Sequence, residues 1–594
     1  MIRVADYIFE KIAEHGVDHV FMVTGRGALF LSDAVARHSQ LQGISMHHEQ
    51  SAAYAAVAYA QSNEKLGACL VSTGCAATNA ITGALNAWQD GIPCVFVSGQ
   101  NTLNETSRFS GVPLRTFGQQ ETDIIPVVEP LTKYAVMLDN AEQVVYEVEK
   151  ALYMAFEGRQ GPVWIDVPLD IQNIRIDPDE LEGYLPIEKK QDDLSSQPVE
   201  DVVQALNDAQ RPVVLIGSGV RAAGAVNALR AFIENVRIPL VYSGSAVDTY
   251  GTANELSIGS VGMMGCSRAG NFCLQNADLV LVLGNRLSPM TTGPDYCKFA
   301  RQAKTIVVDI DPVEHSKNTV TIDQLITSDV SDFLKHLNTA KIHACDESWT
   351  EQCLHWKKLF IKPPFPMEKD AAVDLYDLAD TLSDHLDDNA QLVTDSGLIE
   401  LILPTNTSFS DRMRCIHPAS QGSMGYALPA SIGVSLAGDV PVYAVIGDGS
   451  VMMNLQELET IRCNQLPVKI IVINNNIYAI IRKRQVDLFR RRTIGTDSSN
   501  GLSCPDFSKV ADTFGLGYMK IETAADLQNG FKKLQAAEGP MLCEIMGLED
   551  QDYLSIGYAK NSQGSYVQRP LEDQQPFLDR ELFLSEMLIE PIDQ

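Results

Sequence analysis

Three doubly wound α/β domains built on parallel sheets, followed by a C-terminal tail, are what this sequence predicts. Short, apolar, β-branched runs recur along the chain and stop at glycine or a polar residue, as parallel strands buried on both faces do. Segments with helical spacing separate those runs, and repeated strand–helix alternation gives doubly wound sheets. Two charged, proline-bearing stretches, LPIEKKQDDLSSQPVE and WKKLFIKPPFPMEKDA, break the alternation into blocks and read as interdomain connectors.

The first block, residues 1–175, has strands at VFMVTG, ACLVSTG, PCVFVSG and GPVWIDVP. It opens with MIRVADYIFEKIAEHG, an amphipathic helix pattern without the apolar centre of a signal peptide. The second block, residues 196–345, has strands at RPVVLIGSG, IPLVYSG, ADLVLVLG and TIVVDIDP. The third, residues 370–548, contains VPVYAVIGDGS and LPVKIIVINNN, with helical spacing from Asn454 to Cys463 between them. Residues 549–594 are acidic and irregular, yet Tyr553, Phe577, Phe583 and Leu584 predict a tail that packs rather than floats.

Composition narrows the function class. A length of 594 residues exceeds a single core and suggests about four domains. Hydrophobic content of 45% and charged content of 21% are those of a soluble globular protein. A net charge of −30 argues against general binding to nucleic acid or an anionic membrane. No apolar run is long enough to cross a bilayer. Twelve cysteines without ligand spacing read as reduced core thiols, and the expected location is cytoplasmic.

The chemistry concentrates where two strands of the third block end. One stops at Gly447-Asp448-Gly449-Ser450, the other at Asn474-Asn475, with Asp448 and Asn475 27 positions apart. In doubly wound sheets, ligands bind beyond the carboxyl ends of the strands. An Asp carboxylate and an Asn carbonyl there are hard oxygen donors suited to a magnesium ion that also holds phosphates. The glycines permit close approach of a diphosphate, and a helix start offers N–H groups. Gly-Asp-Gly alone is ordinary turn chemistry; the spacing to the second strand end is what makes it specific.

With that spacing, the chain resembles the thiamine diphosphate enzymes, and more narrowly their acetohydroxyacid (acetolactate) synthase and pyruvate oxidase branch. Supporting landmarks stand in order at HHEQSAAYAAVAYA (47–60), GRQGPVWIDVPLDIQ (158–172), VVDIDPVEHSKN (307–318) and QGSMGYALPASIG (421–433). The resemblance implies a pyrimidine domain, a central domain and a diphosphate domain. It implies Asp448, Asn475 and the Ile477 carbonyl as ligands of Mg2+, and at least a homodimer, or a homotetramer. In similar enzymes Glu49 of one subunit faces the magnesium loop of another and hydrogen-bonds the aminopyrimidine; an Ala-rich apolar setting would raise its pKa. A helix-start Glu favoured by the dipole is the plain alternative. Gly422 and Met424 match the segment that supports the bent cofactor, and a soft thioether suits a wedge between two rings. Ile480 stands where the family has an apolar residue against the pyrimidine. His47 and His48 read equally well as structural histidines.

The second block suits a second nucleotide. Gly217 and Gly219 end one strand, Gly284 and Arg286 another, and Asp309 and Asp311 a third. Glycines with an Arg suit a pyrophosphate, and a strand-end Asp suits a ribose or adenine edge. The resemblance implies FAD there, largely structural, although some relatives hold ADP or nothing.

Three departures bear on substrate. The synthases' Phe-Gln-Glu triplet is Gln119-Gln120-Glu121 here, so Gln120 stays a catalytic candidate while Gln119 replaces an aromatic ring facing the substrate. Their Gln-His-Gln is Leu398-Ile399-Glu400. The tryptophan that shapes their acceptor pocket is Arg484, inside RKRQVDLFRRR, which has six basic residues against one Asp. Such a cluster could hold an anionic acceptor, or be a solvated loop or an ion-pair partner for the acidic tail.

The expected function is a thiamine diphosphate- and magnesium-dependent carboligase. It decarboxylates a 2-oxo acid, with pyruvate the expected donor, and transfers the remaining carbon unit to an acceptor carbonyl. The acceptor would be a second 2-oxo acid, giving acetolactate, or a bulkier anionic ketone such as a keto-sugar nucleotide. Pyruvate oxidation or simple decarboxylation is a rival within the family, and a catalytically silent binding or regulatory relative is a rival outside it.

Overall fold

A computed structural model describes residues 1–186, 196–361, 371–561 and 563–592. The cores of both expected connectors, residues 187–195 and 362–370, lie outside the described residues. Three six-stranded sheets, one per block, make up the frame, and every pairing within them is parallel. Each strand named from the sequence is present.

In the first sheet the spatial order is Gln42–Ser45, His19–Met22, Gly67–Val71, Cys94–Gln100, Pro162–Pro168, Tyr134–Met137. The third sheet repeats that topology with Arg414–Ile416, Gln391–Thr394, Val442–Gly447, Lys469–Asn474, Met541–Met546 and Gly517–Ile521. The central sheet runs Ser257–Ser260, Leu240–Tyr242, Pro212–Ile216, Leu279–Leu283, Lys304–Asp309, Gln324–Thr327. Its order therefore reverses between Pro212–Ile216 and Leu279–Leu283, while the third sheet reverses between Gln391–Thr394 and Val442–Gly447. Crevices open at such reversals.

The helix Glu49–Asn63 explains why HHEQSAAYAAVAYA is so rich in alanine. Ser51 through Ala60 are all buried. A Cβ on Gly67 would lie 2.3 Å from the Ala56 carbonyl, and one on Gly433 would lie 2.0 Å from the Ala55 carbonyl. Small residues let this helix press on its own sheet and on the helix Ala427–Ala437 of the third block at once. Tyr54 and Tyr426 meet edge-on across that contact, with ring centroids 5.2 Å apart. One apolar core thus runs through the first and third blocks.

Arg414 ties all three blocks together. Its guanidinium pairs with the central block's Asp248 at 2.8 Å and donates to the Gln61 carbonyl of the first block at 2.9 Å. Burial opposes ionisation of Asp248, but Arg221 and Arg414 outweigh it and hold the carboxyl below its usual range.

The tail packs on the central block, as expected. Leu571 and Phe583 join the core around Phe272 and Trp356, and Glu572 pairs with Arg301 at 2.8 Å. Phe577 and Leu584 do not share in this: both are exposed, Phe577 lying against the Arg580 guanidinium. The cysteines are all free, but Cys75, Cys297 and Cys463 are exposed rather than core thiols. No helix among the described residues is long and apolar enough to cross a membrane.

One buried carboxyl makes a stability prediction. Asp166, on Pro162–Pro168, accepts from the Ser98 hydroxyl at 2.6 Å and from Gln100 Nε2 at 3.2 Å. Burial nevertheless pushes its carboxyl from 3.8 up to about 7. The native state keeps this proton up to about 7, whereas the unfolded chain releases it near 3.8. Its stabilisation is complete below the lower value and is lost as pH rises through the upper one, a swing of ~4 kcal/mol. Asp166→Asn therefore raises the thermal midpoint relative to the parent as pH goes from 5 to 8. A constant difference across that range in a scanning calorimeter would refute the assignment.

Candidate functional site

Parallel register brings the two polar strand ends together. Gly447 stands opposite Ile473, so residues 448–450 and 475–477 leave the same edge of the third sheet side by side. Asp448 is 3% exposed. Its Oδ1 accepts from the Gly449 N–H at 2.7 Å and its Oδ2 from the Asn476 N–H at 2.6 Å. Burial pushes its carboxyl up to about 6, and no cationic side chain pairs with it among the described residues. A desolvated carboxylate without positive charge nearby is what a bound divalent cation would satisfy. Glu544 lies near enough to push the Asp448 carboxyl further up, and no cluster of three metal-binding His, Cys, Asp or Glu occurs among the described residues.

The two asparagines differ sharply. Asn474 turns into the sheet, its Nδ2 donating to Glu544 at 2.6 Å. Asn475 stays half-buried, and its Oδ1 accepts from the Ile477 N–H at 3.3 Å in a tight local turn. Asn476 takes φ +59 there, which an Asn tolerates. Asn475 and the Ile477 carbonyl remain the candidate metal donors at this edge, with Asn475 Oδ1 already accepting from the Ile477 N–H. The glycines need a different explanation. A Cβ on Gly449 would sit 1.9 Å from the Tyr478 ring, so this glycine makes room for an aromatic side chain; Gly447 faces nothing closer than 3.9 Å. Ser450 is buried beneath the loop.

Asp395 anchors the neighbouring QGSMG segment. It accepts from the Gly425 N–H at 3.1 Å and the Ala427 N–H at 2.8 Å. Burial pushes its carboxyl up to about 6 against these bonds and one from Ser450. Asn454 clamps the other side, donating to the Gly425 carbonyl at 2.9 Å and accepting from the Ser51 hydroxyl at 3.0 Å. Just ahead of the clamped Gly425, Gly422 takes φ +59 and Met424 is half-buried. Gln421 Oε1 is buried with no hydrogen-bond partner. Backbone held this firmly beside an orphaned acceptor fits a polar heterocycle such as the aminopyrimidine.

Glu49 is the first residue of its helix, and its carboxylate accepts from Asn79 Nδ2 at 2.9 Å. His48 caps that helix, its Nδ1 accepting from the Gln50 N–H at 3.1 Å, which is a structural role. The His47 N–H donates to Glu457 at 3.2 Å, across the first and third blocks. No described hydrogen bond joins Glu49 to Asp448, Asn475 or residues 421–424. Gln119 accepts from Arg26 at 2.9 Å, and Gln120 is exposed at φ +61. Glu121 is buried, holding Ser107 and the Phe117 N–H.

At the reversal of the central sheet lies a cleft enclosing about 1410 Å3 of empty space, part of it open to solvent. Gly217, Gly219, Gly284, Arg286 and Asp309 all line it. The glycines are not a phosphate cradle, however. The Gly217 N–H donates to the Leu283 carbonyl and the Gly219 N–H to the Gly284 carbonyl, both at 3.0 Å. A Cβ on Gly217 would lie 2.3 Å from the Gly284 carbonyl, so these glycines let two strand ends touch. Asp311 is committed to Arg159 of the first block at 3.2 Å. Arg286 is exposed, and its side chain makes no hydrogen bond or ion pair among the described residues. The unpaired Arg286 guanidinium at this cleft would suit a phosphate, whereas the glycine N–H groups are already taken.

Glu400 and His417 close the inner wall, 3.8 Å apart. Burial pushes the Glu400 carboxyl up; it opposes protonation of His417, but Glu400, Asp90 and Asp248 prevail and raise it. The Leu398-Ile399-Glu400 triplet is therefore split, with Glu400 in this cleft and Leu398 in the pocket beside Ile477.

Residues 479–488 of the basic segment form a helix, Ala479–Leu488. Arg482 pairs with Glu549 at 3.4 Å and Lys483 with Asp552 at 3.0 Å, so part of the cluster does meet acidic residues of the tail. Arg484 turns toward the central block, its Nη2 3.8 Å from Met264 Sδ, and is absent from the pocket next to the strand ends. Arg482, Lys483 and Arg491 line that pocket with Ile477 and Ile480. Asp395, Asn454, Glu457 and Arg491 were not singled out in the sequence; only Arg491 had a visible signal, the RRR triplet.

Comparison with known proteins agrees with this geometry. Residues 2–127, 199–337 and 395–545 match, in turn, the N-terminal TPP binding domain, the central domain and the C-terminal TPP binding domain of thiamine pyrophosphate enzymes. The chain is 30% identical over 561 residues to the acetolactate synthase large subunit of Corynebacterium glutamicum, covering 92% of this chain and 87% of that protein. It is 29% identical over 560 residues to the acetolactate synthase large subunit of Haemophilus influenzae, with 93% and 95% covered. Against the chloroplastic acetolactate synthase of Arabidopsis thaliana the identity is 28% over 560 residues, with 91% and 81% covered.

Proposed function

This chain belongs to the thiamine pyrophosphate enzyme family, and from that premise we propose that it is a magnesium-dependent, 2-oxo acid decarboxylating carboligase of the acetolactate synthase kind. The observation that carries this reading is the buried Asp448 carboxylate, bonded only to backbone N–H groups and set beside Asn475 where two parallel strands end. Asp448, Asn475 and the Ile477 carbonyl would hold Mg2+ and, through it, the diphosphate. Gly422 and Met424 would support the two rings, with Ile480 against the pyrimidine. Thiamine diphosphate supplies an electron sink when bound, which lets a 2-oxo acid lose carbon dioxide. Leu398, Ile477 and Ile480 would keep water from the reacting carbon. FAD would occupy the central cleft, with Arg286 on its phosphates.

Pyruvate is the proposed donor and a carbonyl compound the acceptor. Purified protein given thiamine diphosphate, Mg2+ and carboxyl-labelled pyruvate should release labelled carbon dioxide and form a carbon–carbon bond to an added carbonyl acceptor. Rapid acetolactate formation from pyruvate alone would identify a second 2-oxo acid as acceptor. Loss of flavin colour under pyruvate without oxygen would turn the reading toward oxidation. Absence of both carbon dioxide release and saturable coenzyme uptake would overturn it.

A further inference from the structure

A second pocket lies immediately beside the proposed magnesium loop, and its lining is split by chemistry. Leu398, Ile477 and Ile480 form an apolar floor, while Arg482, Lys483 and Arg491 bring three cations that stand among the acidic Asp497, Glu549 and Asp550. Empty space there amounts to about 1240 Å3, part of it open to solvent.

Arg491 is the informative residue. It follows Arg490 in a tight reversal after the helix Ala479–Leu488, with φ +53 and +66 at these two positions. Two successive non-glycine residues in the left-handed region carry backbone strain of the kind found at ligand-binding sites. The Arg491 N–H donates back to the Val486 carbonyl at 3.0 Å, which fixes the turn. Its guanidinium is exposed and makes no ion pair among the described residues, in a chain with 76 acidic against 46 basic side chains. Lys483 is tethered more loosely than Arg482. Arg482 stands 3.6 Å from Asp497 and 3.4 Å from Glu549, and Lys483 stands 3.0 Å from the exposed Asp552. The partners Glu549 and Asp552 are solvent-exposed, and such pairs are weak and readily exchanged, whereas Asp497 is largely buried and holds Arg482 more firmly.

Resting on the carboligase reading, we propose that this pocket binds an acceptor ketone bearing a phosphate or diphosphate group. Arg491 provides the forked anchor, and the acceptor anion displaces Glu549 and Asp552 from Arg482 and Lys483. The apolar floor then receives the ketone end, next to the strand-end loop. A guanidinium fork and a lysine ammonium together suit phosphate oxygens better than one carboxylate, because several acceptor oxygens are needed to engage all three cations. Arg484, which the sequence put forward for this part, does not line the pocket.

The test is calorimetry of the protein loaded with thiamine diphosphate and excess Mg2+, using UDP as the probe. Saturable uptake is expected, weakening at least tenfold in Arg491→Gln and in Lys483→Gln and falling with added salt. Glu549→Gln should tighten it, since an internal competitor for Arg482 is gone. A thermal midpoint matching the parent shows that each variant is folded. No UDP uptake by the loaded parent protein overturns the proposal, as does uptake unchanged in both cation variants. Loss of uptake in Arg286→Gln alone would put UDP in the central cleft and also overturns it. Failure of the parent to take up thiamine diphosphate would fall instead on the carboligase reading itself.

Discussion

Asp448→Asn should leave the protein folded but unable to retain thiamine diphosphate with magnesium, and turnover should fall by about three orders of magnitude. Residues that merely orient metal ligands typically contribute 10–100-fold, so losing the only carboxylate among the proposed ligands should exceed that range. Asn is the closest replacement in shape. Its carbonyl can accept from one of the two N–H groups now held by Asp448, at Gly449 or at Asn476. The amide nitrogen must then face the other donor, and the charge that would meet Mg2+ is gone. Asn474→Ser provides the contrast. Asn474 is tied to Glu544, which also accepts from the Tyr518 hydroxyl at 2.5 Å, so its loss loosens the sheet edge without removing a metal donor. Calorimetric titration with Mg2+ and coenzyme separates the two. Unchanged magnesium-dependent uptake in the Asp448 variant would end the proposed role of this loop.

Which parts of this architecture were legible in the sequence follows from how each strand is buried. Pro212–Ile216 and Leu279–Leu283 sit in sheet interiors with every residue buried, and their apolar runs announce them. Gln42–Ser45, Tyr134–Met137, Gln324–Thr327 and Gly517–Ile521 are edge strands, each with few fully buried residues. Paired on one side only, three of them carry no apolar run, and Tyr134–Met137, reading YAVM, has only a short one; none was marked in advance. The edge strand Ser257–Ser260 is fully buried yet reads SIGS, too polar to stand out.

The site divides along the same physical line. Asp448 and Asn475 were legible because each follows directly on a buried strand, so position in the local sequence sets position in the sheet. Asp395 and Glu457 act through partners far along the chain: Asp395 on Gly425 and Ala427, Glu457 on the His47 N–H. No local pattern encodes such contacts. The glycines at 217, 219 and 284 mark the converse case. They stand at a cleft, but backbone-to-backbone packing accounts for them, and only the free Arg286 favours a bound phosphate.

Glu49 supplies the prediction that tests how the two halves of the site come together. In a single chain its carboxylate is engaged by Asn79, and no described bond reaches the strand-end loop or the 421–424 segment. If the partner subunit's loop completes the site, Glu49 presents its proton to a ring nitrogen of a coenzyme held by the other chain. Glu49→Gln should then keep coenzyme affinity within a few-fold while slowing proton exchange at the thiazolium C2 by at least 100-fold, the scale of a lost general acid–base group. Mixing decides the arrangement. Co-expressed Glu49→Gln and Asp448→Asn chains are each inactive alone. A mixed dimer would contain one site with both residues intact and one with both replaced. Random pairing would then restore about a quarter of parental turnover, given that half the dimers are mixed and each carries one working site. Restored activity places Glu49 and Asp448 of one site on different chains. Mixtures as silent as their parents would instead require both residues of each site to come from one chain, with Glu49 swinging away from Asn79 to reach its own loop.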